Sequence, residues 1–429
     1  MSKRAIKRVE AYQVFTKREH PGVEAIVTTE GGITTKAICT AGLSVGTFEV
    51  PFQYDGGAKW SGKGVTQAAA NVKTYLEPGL MGMDVTDQNA IDIALLDITA
   101  KSGVAIGGNA IAAVSAAVLK AGAKALDIPL YRHIGGASAR VLPVPGIPGV
   151  SGHMRYGGGT TTPCGKPSIT FMCYDFQSFE EASYAGWDTY NHWKQVMKAK
   201  GLESHADPFR MFNIPEGFFP NDEAIFDLMA ETIAKAGYEG RMGIQIDCAS
   251  DTYYNKEDKR YYGLFSKDVK TRDDLMKYYQ HIVKTLPVVV LEDPFEETDY
   301  ESTAELTRTV DIQIVGDDLF TTNRDRVAVG AKLGAANTVL LKVNQVGSIS
   351  QSLDMVRFAY EHGYGIMPCS SRGEGETIAD YSVGINAGSI REGATDETGN
   401  RFLEIERELG KNARFAGRSG LKGKRFESN

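Results

Sequence analysis

Four apolar segments in the second half of the chain each end in one ionisable residue: Asp247 in GIQIDCAS, Glu292 in VVVLEDPF, Asp317 in QIVGDDLF and Lys342 in VLLKVNQ. They are spaced at about one βα unit, or two for the first gap, so at one rim of a closed barrel they would converge. Three carboxylates with no His or Cys at matched positions form a hard oxygen site, which selects Mg2+ or Mn2+ over zinc. Without a cation, three such charges facing one another would be strongly unfavourable. The chemistry this permits is metal-assisted proton abstraction. The cation polarises a substrate carboxylate or phosphate oxygen, and Lys342 takes the proton, its pKa lowered by the charge nearby.

Taken singly, each residue has a plainer explanation. An acidic residue after a strand often caps the next helix, which would serve for Asp317 or Asp318. Glu292 precedes Asp293-Pro294, a turn in which Asp293 is the natural turn-former, and a lone Lys at a strand end is usually a salt-bridge partner. Four of them at this spacing are much harder to explain in those ways.

The elements that must position these residues alternate from residue 222 onward: helix 222–236, strand 243–247, helix 271–285, strand 287–292, helix 300–309, strand 312–316, helix 323–333, strand 337–342, helix 348–361 and strand 364–368. Apolar strands alternating with amphipathic helices imply a parallel sheet covered by helices. A barrel is favoured over an open doubly wound sheet because ligands at the ends of non-adjacent strands converge only if the sheet closes. Upstream, residues 142–167 are too rich in Gly and Pro for regular structure and read as strand ends and loops.

The N-terminal part is different. RVEAYQVFT, VEAIVTTEGG and ITTKAICT alternate like antiparallel strands, and helices follow from Val65 and Asp87. A third helix runs from Ala110 to Leu126, with Asn109 as its N-cap and Pro129 beyond its end. The boundaries expected are 1–138 for an α+β domain and 139–429 for the barrel.

With 429 residues, 42% apolar, 24% charged and a net charge of −7, the composition is that of a soluble globular protein. Nothing in it suggests a nucleic-acid surface. The basic stretch Arg414–Arg425 reads as a solvated terminal extension. Cys39, Cys164, Cys173, Cys248 and Cys369 are scattered and form no CxxC pair, so neither a disulfide framework nor structural zinc is expected. With no signal-like or membrane-length apolar run, a reducing cytoplasm is expected.

The segments IDCAS, LEDPF, VGDDL and LLKVNQVGS resemble the metal and base motifs of the enolase family. The likeness extends to GVTQAAANVKTYLEPGL, GNAIAAVSAAVLKAGAKALDIPLYRHI, LPVP and LEIERELGKNARFAGR. The resemblance implies an α/β fold, an enolase-type modified TIM barrel of ββαα(βα)6 order behind an N-terminal α+β capping domain. It also implies Mg2+ on Asp247, Glu292 and Asp317, Lys342 as base, and a homodimer. The substrate expected is a small anionic carboxylate carrying a phosphate, with no nucleic-acid or membrane partner.

Around that core the pattern departs from the family. The metal-binding loop SGAST reads AGLSV here, and the serine that holds a second Mg2+ becomes Ala41, so one Mg2+ site is expected. His153 follows VSG in a loop one residue shorter than the family's. The Gln-Glu pair before Phe-Met is Ile169-Thr170, which removes a catalytic carboxylate. DEGGFAPN becomes IPEGFFPN, leaving Glu216 as candidate general acid. In SSRGEGET, Arg372 remains for a phosphate, Ser371 replaces a His, and Gly373 replaces a Ser. Arg391 stands where the family has a carboxylate-clamping Lys. The expected activity is proton removal α to a carboxylate followed by elimination, most simply 2-phosphoglycerate to phosphoenolpyruvate. Two alternatives are the same chemistry on another phospho-, phosphono- or hydroxy-acid, and a non-catalytic binding protein.

Overall fold

The computed structural model describes residues 2–16, 20–42, 45–152, 154–159, 166–202 and 210–427. The N-terminal sheet is β1 (Ile6–Val14), β2 (Gly22–Thr29) and β3 (Thr34–Cys39), antiparallel and in that order. Val23, Ala25 and Val27 alternate into a core shared with helices α1 (Gln88–Ser102) and α2 (Gly108–Ala125). The helix expected from Val65 is present and continuous over residues 66–80, α-helical at Thr66–Asn71 and Glu77–Leu80 with a π-helical section at Val72–Leu76 between them. Its first amides are capped from a distance, because the Asp55 carboxylate accepts from Thr66 N (3.0 Å) and Gln67 N (2.8 Å).

Asn109 is not the N-cap of α2. That helix starts two residues earlier than expected, at Gly108 behind Gly107, whose φ of 100° suits glycine. The Asn109 amide instead pairs with both backbone groups of Gln53, accepting from its N–H and donating to its C=O, each at 3.1 Å. The helix start therefore ties down the loop that leads out of β3.

The barrel begins inside the Gly/Pro-rich stretch. Residues 146–151 form a fully buried strand, β4 (Gly146–Ser151), so the expectation that this stretch holds only strand ends and loops is corrected here. Its Gly content is a packing requirement: a Cβ on Gly146 would lie 2.0 Å from the Arg391 carbonyl. Next come β5 (Ser168–Cys173), α3 (Phe179–Ala199) and α4 (Glu223–Lys235). Six βα units complete the chain: β6 (Met242–Asp247) with α5 (Arg272–Thr285), β7 (Val288–Glu292) with α6 (Tyr300–Thr309), β8 (Gln313–Gly316) with α7 (Arg324–Leu333), β9 (Thr338–Leu341) with α8 (Ile349–Glu361), and β10 (Gly365–Pro368) with α9 (Thr377–Gly384). The sixth is the segment 388–391 with α10 (Asp396–Leu409).

β5 runs antiparallel to both neighbours, and the other neighbouring pairs from β6 to β10 are parallel. The segment 388–391 closes the ring. Arg391 N donates to Pro368 O at the end of β10, while Val144 N donates to Gly388 O and Ile390 N to Val144 O before β4. This is ββαα(βα)6 order, a closed barrel rather than an open sheet. Every residue of β6, β7, β8 and β9 is buried. At about 1.5–3 kcal/mol per buried aliphatic side chain, the strand interiors carry the fold and leave the rim free for polar chemistry.

The basic C-terminal stretch is not a solvated extension. Arg414–Phe415 pairs in parallel with Val141–Leu142, and Leu421 and Phe426 are buried. Arg425 donates to Val288 O (2.9 Å), Val283 O (3.0 Å) and Asp311 (2.7 Å). Its charges serve carbonyl groups at the end of the barrel opposite the rim. Among the described residues, no helix is long and apolar enough to cross a membrane, and Cys39, Cys173, Cys248 and Cys369 are unpaired and buried.

Candidate active site

Asp247, Glu292, Asp317 and Lys342 stand at the ends of four successive barrel strands, all buried. None caps a helix: the side-chain cap of α6 is the Asp299 carboxylate, and that of α7 is the Asn323 amide oxygen. Lys342 Nζ donates to Asp317 Oδ2, and Gln345 Nε2 donates to Asp317 Oδ1 at 2.9 Å. Glu292 accepts from Gln245 Nε2 (3.1 Å) and Arg391 Nη1 (3.0 Å). Asp247 Oδ2 accepts from Lys166 Nζ, Arg391 Nη2 and Ser168 Oγ.

Asp293 is the turn-former beside Glu292. It adopts φ 44°, and its two oxygens accept the amides of Asp317 (3.0 Å) and Asp318 (2.9 Å), which fixes the loop after β8. Oxygens of Glu292, Asp293 and Asp317 lie within 4.8 Å of one another, the acidic triad of the described residues that could hold a metal ion. Asp247 lies outside this group and is held by its two cations.

The charges fit a divalent cation. Around the rim, the carboxylates Glu49, Asp247, Glu292, Asp293, Asp317 and Asp318 outnumber the cations Lys166, Lys342, Arg372 and Arg391 by two. The uncompensated charge registers in the carboxyl groups. Burial and the neighbouring Asp318, Asp317 and Glu292 carboxylates push Asp293 well above the usual range, and burial and Asp317 push Asp318 up to about 7. Burial also works against Asp317, but Lys342, Arg372 and the Gln345 hydrogen bond outweigh it and hold that carboxyl at about 2. Burial pulls the Lys342 amine down, and the Asp317 carboxylate more than offsets this, keeping it above the lysine norm.

A stability prediction follows from these signs. Asp318, raised to about 7 against about 3.9 in an unfolded chain, holds a proton in the folded state that the unfolded state has released. The metal-free protein should therefore lose stability as pH rises from about 4 to about 7. The opposite contribution, from Asp317, is lost only below about pH 4. Thermal unfolding in EDTA should show the decline, and saturating Mg2+ should flatten it. Equal slopes with and without Mg2+ would contradict a cation at these carboxylates.

The remaining predicted residues are placed unevenly. Arg372 reaches the rim fully buried, but its fork is filled by Glu49, at 2.6 and 2.5 Å. Glu49 belongs to the loop after β3 and also accepts from Gln345 Nε2 at 3.2 Å. Nothing near Glu49 in sequence signals this contact. Arg391 reaches the rim and bridges Asp247 and Glu292. Ser371, next to Arg372, lines a cavity of about 260 Å3 with Thr40, Arg210 and Glu392.

Thr170, standing where the family has Glu, donates to Gln245 Oε1 at 3.1 Å and so extends the chain of hydrogen bonds to Glu292 without a titratable group. Glu216 is exposed on the 214–218 loop and makes no hydrogen bond or ion pair among the described residues. The loop is tied in place by Gly217 N donating to Arg155 O at 2.8 Å. Ala41 is buried and brings no oxygen to the rim. Gly46 takes that loop so close to Asp318 that a Cβ would lie 2.8 Å from Oδ1. His153 lies outside the described residues, as do Cys164 and, within AGLSV, Leu43 and Ser44.

Lys166 is the residue that strand-end reasoning missed. A charge at the C-terminal end of a strand marks the rim only where the strand is parallel to its neighbours, and β5 runs antiparallel, so its beginning faces the rim. Ser168 stands opposite Asp247 in register.

Two family profiles cover nearly the whole chain. "Enolase, N-terminal domain" matches residues 6–134, and "Enolase, C-terminal TIM barrel domain" matches residues 139–424. Among curated relatives, the enolase of Methanocaldococcus jannaschii is 36% identical over 96% of this chain and 97% of its own. That of Methanococcus aeolicus is 37% identical over 94% and 95%, and that of Solanum lycopersicum 36% over 96% and 98%.

Proposed function

The chain belongs to the enolase family, and from that premise we propose that it is an Mg2+-dependent lyase interconverting 2-phosphoglycerate and phosphoenolpyruvate. The observation that carries this is the Lys342 amine set on Asp317 beside the buried rim carboxylates. In the metal-free site burial lowers the Lys342 pKa but Asp317 raises it more, so the net shift is upward instead of the lowering expected from the sequence. With the Asp317 charge taken up by a divalent cation, the amine would be released to accept the α proton, which is what abstraction α to a carboxylate requires.

Asp247, Glu292 and Asp317 would hold one Mg2+. When bound, it would supply Lewis-acid polarisation of the substrate carboxylate and counter the charge that builds up on proton removal. Lys342 takes the α proton. Arg391 is assigned to the carboxylate end of the substrate and Arg372 with Ser371 to the phosphate, with Glu49 giving up the Arg372 fork as the phosphate enters, and His153 is assigned as a substrate contact on its sequence position alone. Glu216 is the group assigned to protonate the departing hydroxide, which requires the 214–218 loop to bring it inward. The capping domain is taken as 1–138 and the barrel as 139–429. A cytoplasmic homodimer completes the proposal.

A second reading keeps the mechanism and changes the acid. It is favoured by Thr170, which leaves the site short of a carboxylate, and by Arg391, whose planar fork differs from a Lys. One incubation separates the two. With Mg2+ and 2-phosphoglycerate in deuterated water, the first reading gives phosphoenolpyruvate and α-carbon exchange. The second gives exchange with little elimination. Neither product nor exchange would reject both for this substrate.

A further inference from the structure

We propose that Lys166 is a substrate-binding residue which, with Arg391, forms a two-cation clamp selecting an acid with two negative charges at its metal-bound end. The antiparallel course of β5 puts Lys166 at the rim, two residues before Ser168, which faces Asp247. The Tyr253 hydroxyl donates to the Lys166 carbonyl and holds the backbone there. Lys166 Nζ and Arg391 Nη2 then donate to the same oxygen, Asp247 Oδ2.

Arg391 alone meets the needs of the two carboxylates it touches, with Nη2 on Asp247 and Nη1 on Glu292 at 3.0 Å. Its Nε is buried and has no hydrogen-bond partner among the described residues. Lys166 adds a second cation to an oxygen already paired. In the metal-free protein these two cations balance Asp247 and Glu292. Once a divalent cation binds those carboxylates, this end of the site carries two surplus positive charges. Both side chains are shielded from water, with 14% and 8% exposure, so solvent screens them little. Two like charges that converged on one oxygen are then best satisfied by one incoming anion, and a monocarboxylate supplies only half of what they need.

The inference rests on the enolase-type reading through the metal on Asp247 and sides with its second form, since 2-phosphoglycerate brings only one negative charge to that end, and its test does not need turnover. Malonate and glycolate serve as dianionic and monoanionic probes, titrated calorimetrically into wild-type, Lys166→Met and Lys166→Arg proteins at saturating Mg2+, after Mg2+ alone has been titrated into each. The wild type should bind malonate at least tenfold tighter than glycolate. Lys166→Met should lose most of that preference while binding Mg2+ as tightly as the wild type or more so, and Lys166→Arg should keep it. A wild type without the preference, a Met variant that retains it, or a Met variant whose Mg2+ affinity falls in step with malonate would overturn the proposal. Failure of the wild type to convert 2-phosphoglycerate, with the malonate pattern intact, would reject the assigned substrate and leave Lys166 in place.

Discussion

Lys342→Ala should abolish exchange of the substrate α proton with deuterated solvent, a loss of about a thousandfold or more, while Mg2+ still binds. Lys342 is the amine at the end of β9, and its hydrogen bond to Asp317 Oδ2 puts it beside the acidic triad. Its removal deletes a proton acceptor and leaves the carboxylates in place. Without the competing ammonium, Asp317 is more available to a cation, so the metal titration should be unchanged or tighter. Exchange that persists in the variant would remove Lys342 as the base, and loss of Mg2+ binding would mean that the amine supports the metal site rather than the chemistry.

The second large effect is expected at Asp317. Asp317→Ala strips the partner from Lys342 and from Gln345 Nε2, both buried. Leaving a buried ammonium unpaired costs about 3–5 kcal/mol, which urea unfolding in EDTA would register. Asp317→Asn offers an amide oxygen to Gln345 but no charge to Lys342, so it should cost less stability. Both variants should lose Mg2+ affinity by about two orders of magnitude, the scale on which a metal is sensitive to its surroundings. An Asn variant that binds Mg2+ like the wild type would take Asp317 out of the cation site.

Much of the barrel is legible in the sequence because its signal is local. A run of buried aliphatic residues that switches to one charge marks a strand end at the rim, and strands 243–247 and 337–342 fall within a residue of Met242–Asp247 and Thr338–Leu341. Where packing rather than pattern decides, local signals mislead. Gly146 and Pro148 look like loop, yet Gly146 is in a strand because another backbone leaves no room for a side chain. Asn109 has the chemistry of a cap, but tertiary contact with Gln53 uses its amide otherwise. Helix α3 is overlooked because exposed Tyr184 and Trp187 blur its apolar period.

The site divides in the same way. Asp247, Glu292, Asp317 and Lys342 are readable because each follows its own strand. Glu49 is not, since its partner Arg372 lies 323 residues away. Lys166 is hidden by strand direction, and the role of the basic C-terminal stretch by the fact that its carbonyl partners come from α5 and β7.

The most direct test is a crystal structure grown with Mn2+ and read by anomalous scattering. One peak is expected, bonded by oxygens of Asp247, Glu292 and Asp317, with the Lys342 amine facing the open side of the metal. The Asp293 oxygens should remain on the amides of Asp317 and Asp318. A peak held by Glu292, Asp293 and Asp317 with Asp247 still on Lys166 and Arg391, or an amine turned away from the ion, would contradict the arrangement on which proton abstraction depends.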